Sequence, residues 1–422
     1  MNAIIDHQQR YALANELHAR PFPTLSVGAT AIYLAVKRPA DAARRDRGAD
    51  LAHLLALLDH FGADHPRPGA THYSGRLGQH QIKWESHTEF VSYTLFVDGR
   101  GVDGDGFGLF PRDWLMEMPG VRLTSAVIQV SEKPADKADL ARVLKEDFVP
   151  ESLAASNVLD GAAIIAGDFR IDAQGQMRFR VIAAPKTGAQ RIGRIVQRLC
   201  EIETYKAMSM LGYQRAKDVS RDLGGIDMRL NRLINRMSGA EPEAVLSALL
   251  PLTAELEAIS AQTAFRFSGT RAYSSLVADK IAVLRERRIG GRQTFEEFMS
   301  RRFEPTMRTS EAVEAQLQNI SARAFRAAEL LRTRVEVERS AQNQLLLESM
   351  DRRADQQLHL QKTVEGLSVV AISYYAVNLA SYALYPLAIP AGLDKAMLTA
   401  MLIPPVIAAV WLTVRRIRNA LH

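Results

Sequence analysis

Residues 364–385 read VEGLSVVAISYYAVNLASYALY, a stretch whose one charge is Glu365 at its entry. At a rise of about 1.5 Å per residue, a helix of this length covers a hydrocarbon core of about 30 Å. The turn-rich run PLAIPAGLDK at 386–395 then reverses direction ahead of AMLTAMLIPPVIAAVWLTV at 396–414. Two successive apolar helices without a sustained polar face are expected to form a transmembrane hairpin rather than part of a soluble bundle. Pro404 and Pro405 sit mid-span and are expected to kink the second helix, which a bilayer tolerates better than water does.

Charge sets the expected orientation. Arg352, Arg353 and Lys362 precede the first span, and Arg415, Arg416 and Arg418 follow the second. The connection offers only Lys395 beside Asp394. Positive flanks belong on the cytoplasmic side, so both termini are placed there. Tyr382 and Tyr385 fall at the outer interface and Trp411 near the inner one, where amphipathic rings settle. Tyr374, Asn378, Ser381 and Tyr385 recur at steps of four, three and four and form one stripe along the first span. A polar stripe in a membrane faces protein or water, so it serves either helix packing or the wall of an aqueous pore.

The rest of the chain reads as globular: 422 residues, 47% hydrophobic and 24% charged, enough for two or three units. A surplus of 53 Lys and Arg over 47 Asp and Glu leaves a net charge of +6, but no dense basic run carries interleaved aromatics, so nucleic acid is not an expected partner. The single cysteine, Cys200, cannot form an internal disulfide, which favours the cytosol for the soluble part. The opening stretch has Asp6 and Glu16 and no apolar core, and reads as neither signal peptide nor anchor. Attachment is therefore expected late in the chain.

Residues 1–187 predict an α/β cytoplasmic domain. Strands are expected at 30–36, 80–86, 89–97, 121–132, 162–172 and 175–184, where β-branched and aromatic residues are bounded by turns. GDFRID and GQMRFRV flank AQG and predict a hairpin. Helices are expected at 50–62 and 137–148, giving a mixed or antiparallel sheet with helices and an α+β class overall. Residues 188–360 predict long helices, a bundle or stalk, with 193–220 and 241–266 as members. From Thr309 onward no break appears before the membrane, and Val313, Leu317, Ile320, Ala324, Leu331 and Val335 make a seam like that of a coiled coil. A single helix over 309–385 exceeds about 100 Å. Residues 361–422 form the transmembrane hairpin and its basic tail.

Several blocks resemble a known family: YALANELHARPFP at 11–23, IKWESHTEF at 82–90, ETYKAMSMLGY at 203–213, RERRIGGRQTFEEFMSRR at 285–302, LLRTRVEVE at 330–338 and QKTVEGLSVVAISYY at 361–375. They look like the signature of the domain of unknown function 3422 family of bacterial proteins. That resemblance implies anchoring in the inner membrane of a bacterium and no particular activity. The layout of an α/β domain, a long helix and a terminal two-helix hairpin is also similar to CorA-type magnesium channels, which work as pentamers. Their Gly-Met-Asn triplet, due at the outer end of the first span, is absent here.

Candidate chemistry is sparse. His53, His60, His65, His72, His80 and His87 cluster early in the chain, but none has a spacing that puts two ligands on one helical face. His87 and Glu89 alternate beside Trp84 and Glu85 and mark either a ligand site or an interface. Asn15, Glu16, His18 and Arg20 sit before a Pro-flanked turn, as cap, contact or ligand group. The glycine loop at 99–108 has Asp103 and Asp105 yet matches neither an EF-hand nor a Walker loop, and no nucleophile elbow or cofactor motif is present. In the arginine-rich block, Arg292, Arg301 and Arg302 are either lipid or phosphate contacts or partners of Glu296 and Glu297. The expected function is an oligomeric membrane protein that moves or senses a small cation, a divalent one by the CorA layout, with lipid and copies of itself as partners. A membrane-tethered scaffold for a cytosolic partner is the alternative.

Overall fold

The computed structural model describes residues 6–11, 14, 22–40, 42–99, 106–239, 241–388 and 394–421. Asn15, Glu16, His18 and Arg20 lie outside these residues, as do Asp103 and Asp105.

The strand β1 (Thr30–Lys37) reads TAIYLAVK, and its sequence explains its place. Large Ile32, Leu34 and Val36 alternate with Ala31, Tyr33 and Ala35, and both sets are buried. A strand apolar on both faces belongs in the middle of a covered sheet. It pairs antiparallel with β4 (Val91–Val97) on one side and with β5 (Val121–Glu132) on the other. Beyond β4 lie β3 (His80–Ser86) and β2 (His72–Leu77). Beyond β5 come β8 (Met177–Ala183), β7 (Ala163–Ile171), β6 (Ala154–Val158) and a two-residue β9 (Arg287–Arg288). The pair β5 and β8 is parallel and the other ladders are antiparallel, so the nine-stranded sheet is mixed, as expected. The predicted hairpin is β7 with β8.

Three strands have no clear sequence signal. HYSGRL of β2 carries Gly75 and Arg76, AASNV of β6 is small and polar, and β9 is too short for any periodicity. Neighbouring ladders, not propensity, hold them in the sheet.

The two faces are covered differently. Helix α1 (Arg47–His60) lays Leu54, Leu57 and Leu58 against Ile32, Leu34, Ile82, Trp84, Tyr93 and Leu95. The short α2 (Arg112–Met116) adds Trp114 to that core, and α3 (Lys137–Asp147) packs Leu140 and Leu144 against Ala155, Ile164 and Ile182. The opposite face is crossed by α4 (Ala189–Arg236), which buries Ile192, Ile195, Val196, Leu199 and Ile202 against Ala31, Tyr33, Ala35, Ile128 and Val181. The alanines of β1 allow that approach. Then come α5 (Pro242–Ala282), α6 (Phe295–Arg302) and α7 (Glu304–Ala388). At Gly212 of α4 a Cβ would overlap the Thr270 hydroxyl of α5, so the glycine sets how closely these helices meet. Val313, Leu317, Ile320 and Ala324 of the expected seam are buried.

By packing, residues 1–239 with 247–327 form one compact unit, and 240–246 with 328–422 form a second. The second unit holds the ion pair of Arg339 with Glu243 and α8 (Lys395–Leu421), which runs through Pro404 and Pro405 as helix. Among the described residues three helices, not the expected two, are long and apolar enough to cross a membrane: α5, the helix ending at Leu387, and Lys395–Ile417. The addition is α5, whose leucines at 249, 252 and 256 are buried and whose Glu255 pairs with Arg229 of α4 at 2.7 Å.

His53 of α1 shows how tightly the first core is specified. Its Nε2 donates to the Trp114 carbonyl and its Nδ1 accepts from the Tyr93 hydroxyl, both at 2.9 Å, while the ring stacks on Trp114 at 4.2 Å. Burial pushes the imidazole below its ordinary pKa, partly offset by the bond to the Trp114 carbonyl. The unfolded chain therefore binds the proton more readily, and stability is lost as pH falls below about 6.5 toward the depressed folded value. Denaturant titrations of His53→Phe should show a shallower acid slope than wild type. They should also show a loss of about 1–3 kcal/mol at neutral pH from the orphaned hydroxyl and carbonyl.

Candidate functional site

The strand β3 alternates strictly. Ile82 and Trp84 point into the α1 core, and Lys83 and Glu85 point to the α4 face. β4 does the same, with Ser92 and Thr94 on the α4 side. Such alternation ordinarily marks a strand with one wet face. Here helix α4 covers that face, and the polar side chains line a cavity of about 260 Å³. Val196, Gln197, Cys200, Glu201, Thr204 and Tyr205 supply the wall from α4, at steps that share one helical face. Tyr33 of β1, Lys280 of α5 and Phe22 with Pro23 complete it.

The charges in the cavity form a chain. Glu85 pairs with Lys83 at 3.2 Å, and Lys83 donates to Gln197 Oε1 at 2.9 Å. Gln197 Nε2 donates to Glu201 Oε1 at 3.0 Å, and Lys280 pairs with Glu201 at 2.6 Å. Two carboxylates and two ammonium groups, bridged by one amide, balance each other, which is the condition for burying charge at tolerable cost. The Tyr33 and Thr204 hydroxyls share a hydrogen bond, and Thr204 also donates to the Cys200 carbonyl at 2.9 Å. Burial raises the Tyr33 phenol and the Cys200 thiol well above their usual pKa values. Cys200 is thus a neutral thiol without the thiolate character of a nucleophile. The arrangement can hold and orient a small polar molecule that carries both signs of charge, with Phe90 and Phe96 as its apolar wall.

Of the residues singled out in the sequence, Glu85 and His87 line this cavity, and His87 stacks on Phe90 at 4.3 Å. Trp84 lies on the other face of the sheet, buried beside Tyr93. Glu89 is buried in an ion pair with Arg266 and is not part of the lining. Lys83, Gln197, Glu201 and Lys280 were not singled out, although the spacing of Gln197, Glu201 and Thr204 along one helix was available as a signal. Among the described residues no group of His, Cys, Asp and Glu is arranged to hold a metal ion. In the arginine-rich block Arg288 binds Glu297, Arg285 binds Asp160 outside the block at 2.8 Å, Arg302 lies 5.3 Å from the Phe298 ring, and Glu286 accepts from the Phe295 and Glu296 amides at the start of α6.

In the second unit, the stripe of the first expected span divides. Ser381 is buried and accepts from Thr399 of α8 at 3.2 Å, in line with buried Ser373 and Val377. Tyr374 is 66% exposed, and the Asn378 amide donates to the Tyr374 carbonyl at 3.1 Å. Tyr385 is 37% exposed.

Fold and site together define an α+β body with a charge-balanced polar cavity, followed by C-terminal helices fit to cross a membrane. The family model described as protein of unknown function (DUF3422) matches residues 5–421, and the chain belongs to that family. No curated protein matches it.

Closure of the cavity has a direct test. A Cβ on Gly193 of α4 would overlap the Pro23 carbonyl, so Gly193→Ala must displace the segment that holds Phe22 and Pro23. The expected cost is about 1–3 kcal/mol. Labelling of buried Cys200 by a small maleimide should accelerate in the variant, and an unchanged rate would show that Pro23 does not seal the site.

Proposed function

We propose that this chain is an integral membrane protein that assembles with copies of itself and passes or senses a small cation through its C-terminal helices. The observation that carries this reading is the state of α7 between residues 336 and 364, where every side chain is exposed, including Leu345, Leu346, Leu347, Met350, Leu358 and Leu360. Helices in proteins owe most of their stability to a packed apolar face. A helix with leucines bare on several sides lacks its partner, and a closed ring or dimer of identical chains supplies one without any other component.

The same helix then continues through the apolar run at 364–385. In this reading it and Lys395–Ile417 form a hairpin, with both flanks cytoplasmic by their arginines and lysines, while α5 stays in the soluble body through its buried leucines and Glu255. Ser373, Val377 and Ser381 are spent on packing against α8. Tyr374 and Asn378 are left at the flank of that contact, facing other copies. With its amide nitrogen bonded to the Tyr374 carbonyl, half-buried Asn378 retains a neutral amide oxygen, the type of ligand that hard cations accept. The layout is similar to that of CorA-type channels, and the missing Gly-Met-Asn triplet means that any selectivity here rests on other residues, with Asn378 the first candidate.

Purified full-length protein in proteoliposomes should admit Mg²⁺ or a monovalent cation, read by an enclosed indicator dye. Asn378→Ala should change that rate severalfold while the particle mass stays that of an oligomer. Monomeric particles, or liposomes that admit no cation, would overturn transport and leave the tethered scaffold as the reading to pursue.

A further inference from the structure

A second opening in the first unit has the opposite electrostatics to the balanced cavity. At one end of the sheet, where β1 ends and β5 begins, a cleft of about 930 Å³ is walled by Lys37, Arg38, Arg44, Arg122, Arg215 and Arg266. Among the described residues that line it, none is a carboxylate. Lys37 ends β1 and Arg38 follows it, Arg44 comes from the short 3-10 turn, and Arg122 lies in the second position of β5. Arg215 and Arg266 reach in from α4 and α5. Five elements converge to place one sign of charge in one concave space.

The hydrogen bonds inside the cleft leave that charge uncompensated. Lys37 donates to the Arg38 carbonyl at 3.0 Å, Arg38 to the Pro119 carbonyl at 3.3 Å, and Arg215 to the Gln262 amide oxygen at 3.2 Å. All three acceptors are neutral. Among the described residues of the lining, Arg266 is the cation paired with a carboxylate, Glu89, and that pair uses Nη2. Its Nη1 is buried with no hydrogen-bond partner. No acidic residue among those described pairs with Arg44 or Arg122. Lys37 is 8% exposed, and burial, together with the nearby Arg266, depresses its pKa against the opposing pull of Glu89. A buried ammonium with only a neutral acceptor, beside an orphaned guanidinium donor, is an arrangement that an anion relieves.

The shape narrows the class. The volume matches sites for ligands of nucleotide size. The rim carries Phe265, 54% exposed, with the Arg266 guanidinium 5.6 Å from its ring, and Val121, Leu123 and Leu211 continue the apolar strip. Flat aromatic surface beside clustered guanidinium groups suits a molecule with a multiply charged head and a stacking or apolar body.

We infer that this cleft binds a multiply charged phosphate group, delivered by a nucleoside triphosphate or by the headgroup of an anionic lipid. Full-length protein in neutral detergent at about 0.15 M salt would be titrated calorimetrically with ATP and with inorganic tripolyphosphate. Binding to vesicles containing phosphatidic acid, whose monoester phosphate carries up to two charges, would be measured by fluorescence. The double variant R44S/R122S removes two side chains that hold no structural ion pair, so it should fold as wild type, as checked by circular dichroism.

If the ligand is soluble, saturable binding of both triphosphates should weaken about tenfold or more in the double variant. Phe265→Ala should then weaken ATP but not tripolyphosphate. If the headgroup is the ligand, only the vesicle arm should respond to the double variant. The inference is overturned if neither triphosphates nor anionic vesicles bind, or if whatever binds does so equally well to R44S/R122S. None of these outcomes depends on whether the C-terminal helices conduct a cation.

Discussion

The passage of α4 across one face of the sheet is the contact on which the first unit depends. It requires small side chains beneath it, and Ala31 and Ala35 of β1 provide them while Ile32, Leu34 and Val36 fill the opposite face. It also requires glycine at its two closest approaches, Gly193 over the Pro23 carbonyl and Gly212 against Thr270. Once α4 is seated, the polar row of β3 and β4 is no longer a solvent face. It becomes the floor of a cavity whose charges must satisfy one another.

That constraint explains why two polar sites in one unit look so different. In the enclosed cavity, Glu85, Lys83, Gln197, Glu201 and Lys280 form a continuous chain of alternating partners, so its charges satisfy one another within the protein. The open cleft by Lys37 can leave cations unbalanced, because water screens most of them. The exceptions are Lys37 and the buried Nη1 of Arg266, and they lie where an anion would have most effect. Balanced burial and unbalanced exposure are two outcomes of the same cost of desolvating charge.

Legibility in the sequence followed the strength of local signals. β3 and β5 were readable to the residue, since alternation and β-branching set their limits. β2 and β6 were not, because HYSGRL and AASNV have little strand preference and are held by their neighbours. His87 and Glu89, with Trp84 and Glu85 beside them, stood out at the end of a strand, but Gln197, Glu201 and Lys280, which line the cavity with Glu85 and His87, lie more than a hundred residues away, and only tertiary packing brings them together. Trp84 was misleading for a simple reason: adjacent residues on a strand face opposite sides. The cationic cleft was invisible as a motif, since its six side chains come from five separate elements. The apolar character of α5 also escaped notice, because its leucines are interrupted by Glu255 and Glu257.

The C-terminal helices carry the proposed function, and their topology is the claim most open to a direct answer. Because Cys200 is buried and its thiol is held neutral, cysteines introduced elsewhere can be read against a quiet background. Asp394→Cys lies in the connection between the two expected spans, and Ser340→Cys lies on the exposed part of α7. In spheroplasts of a bacterial host, a membrane-impermeant maleimide should label Asp394→Cys at once and Ser340→Cys only after permeabilisation. Equal protection of both positions, or labelling of Ser340→Cys from outside, would contradict a hairpin with both ends in the cytoplasm.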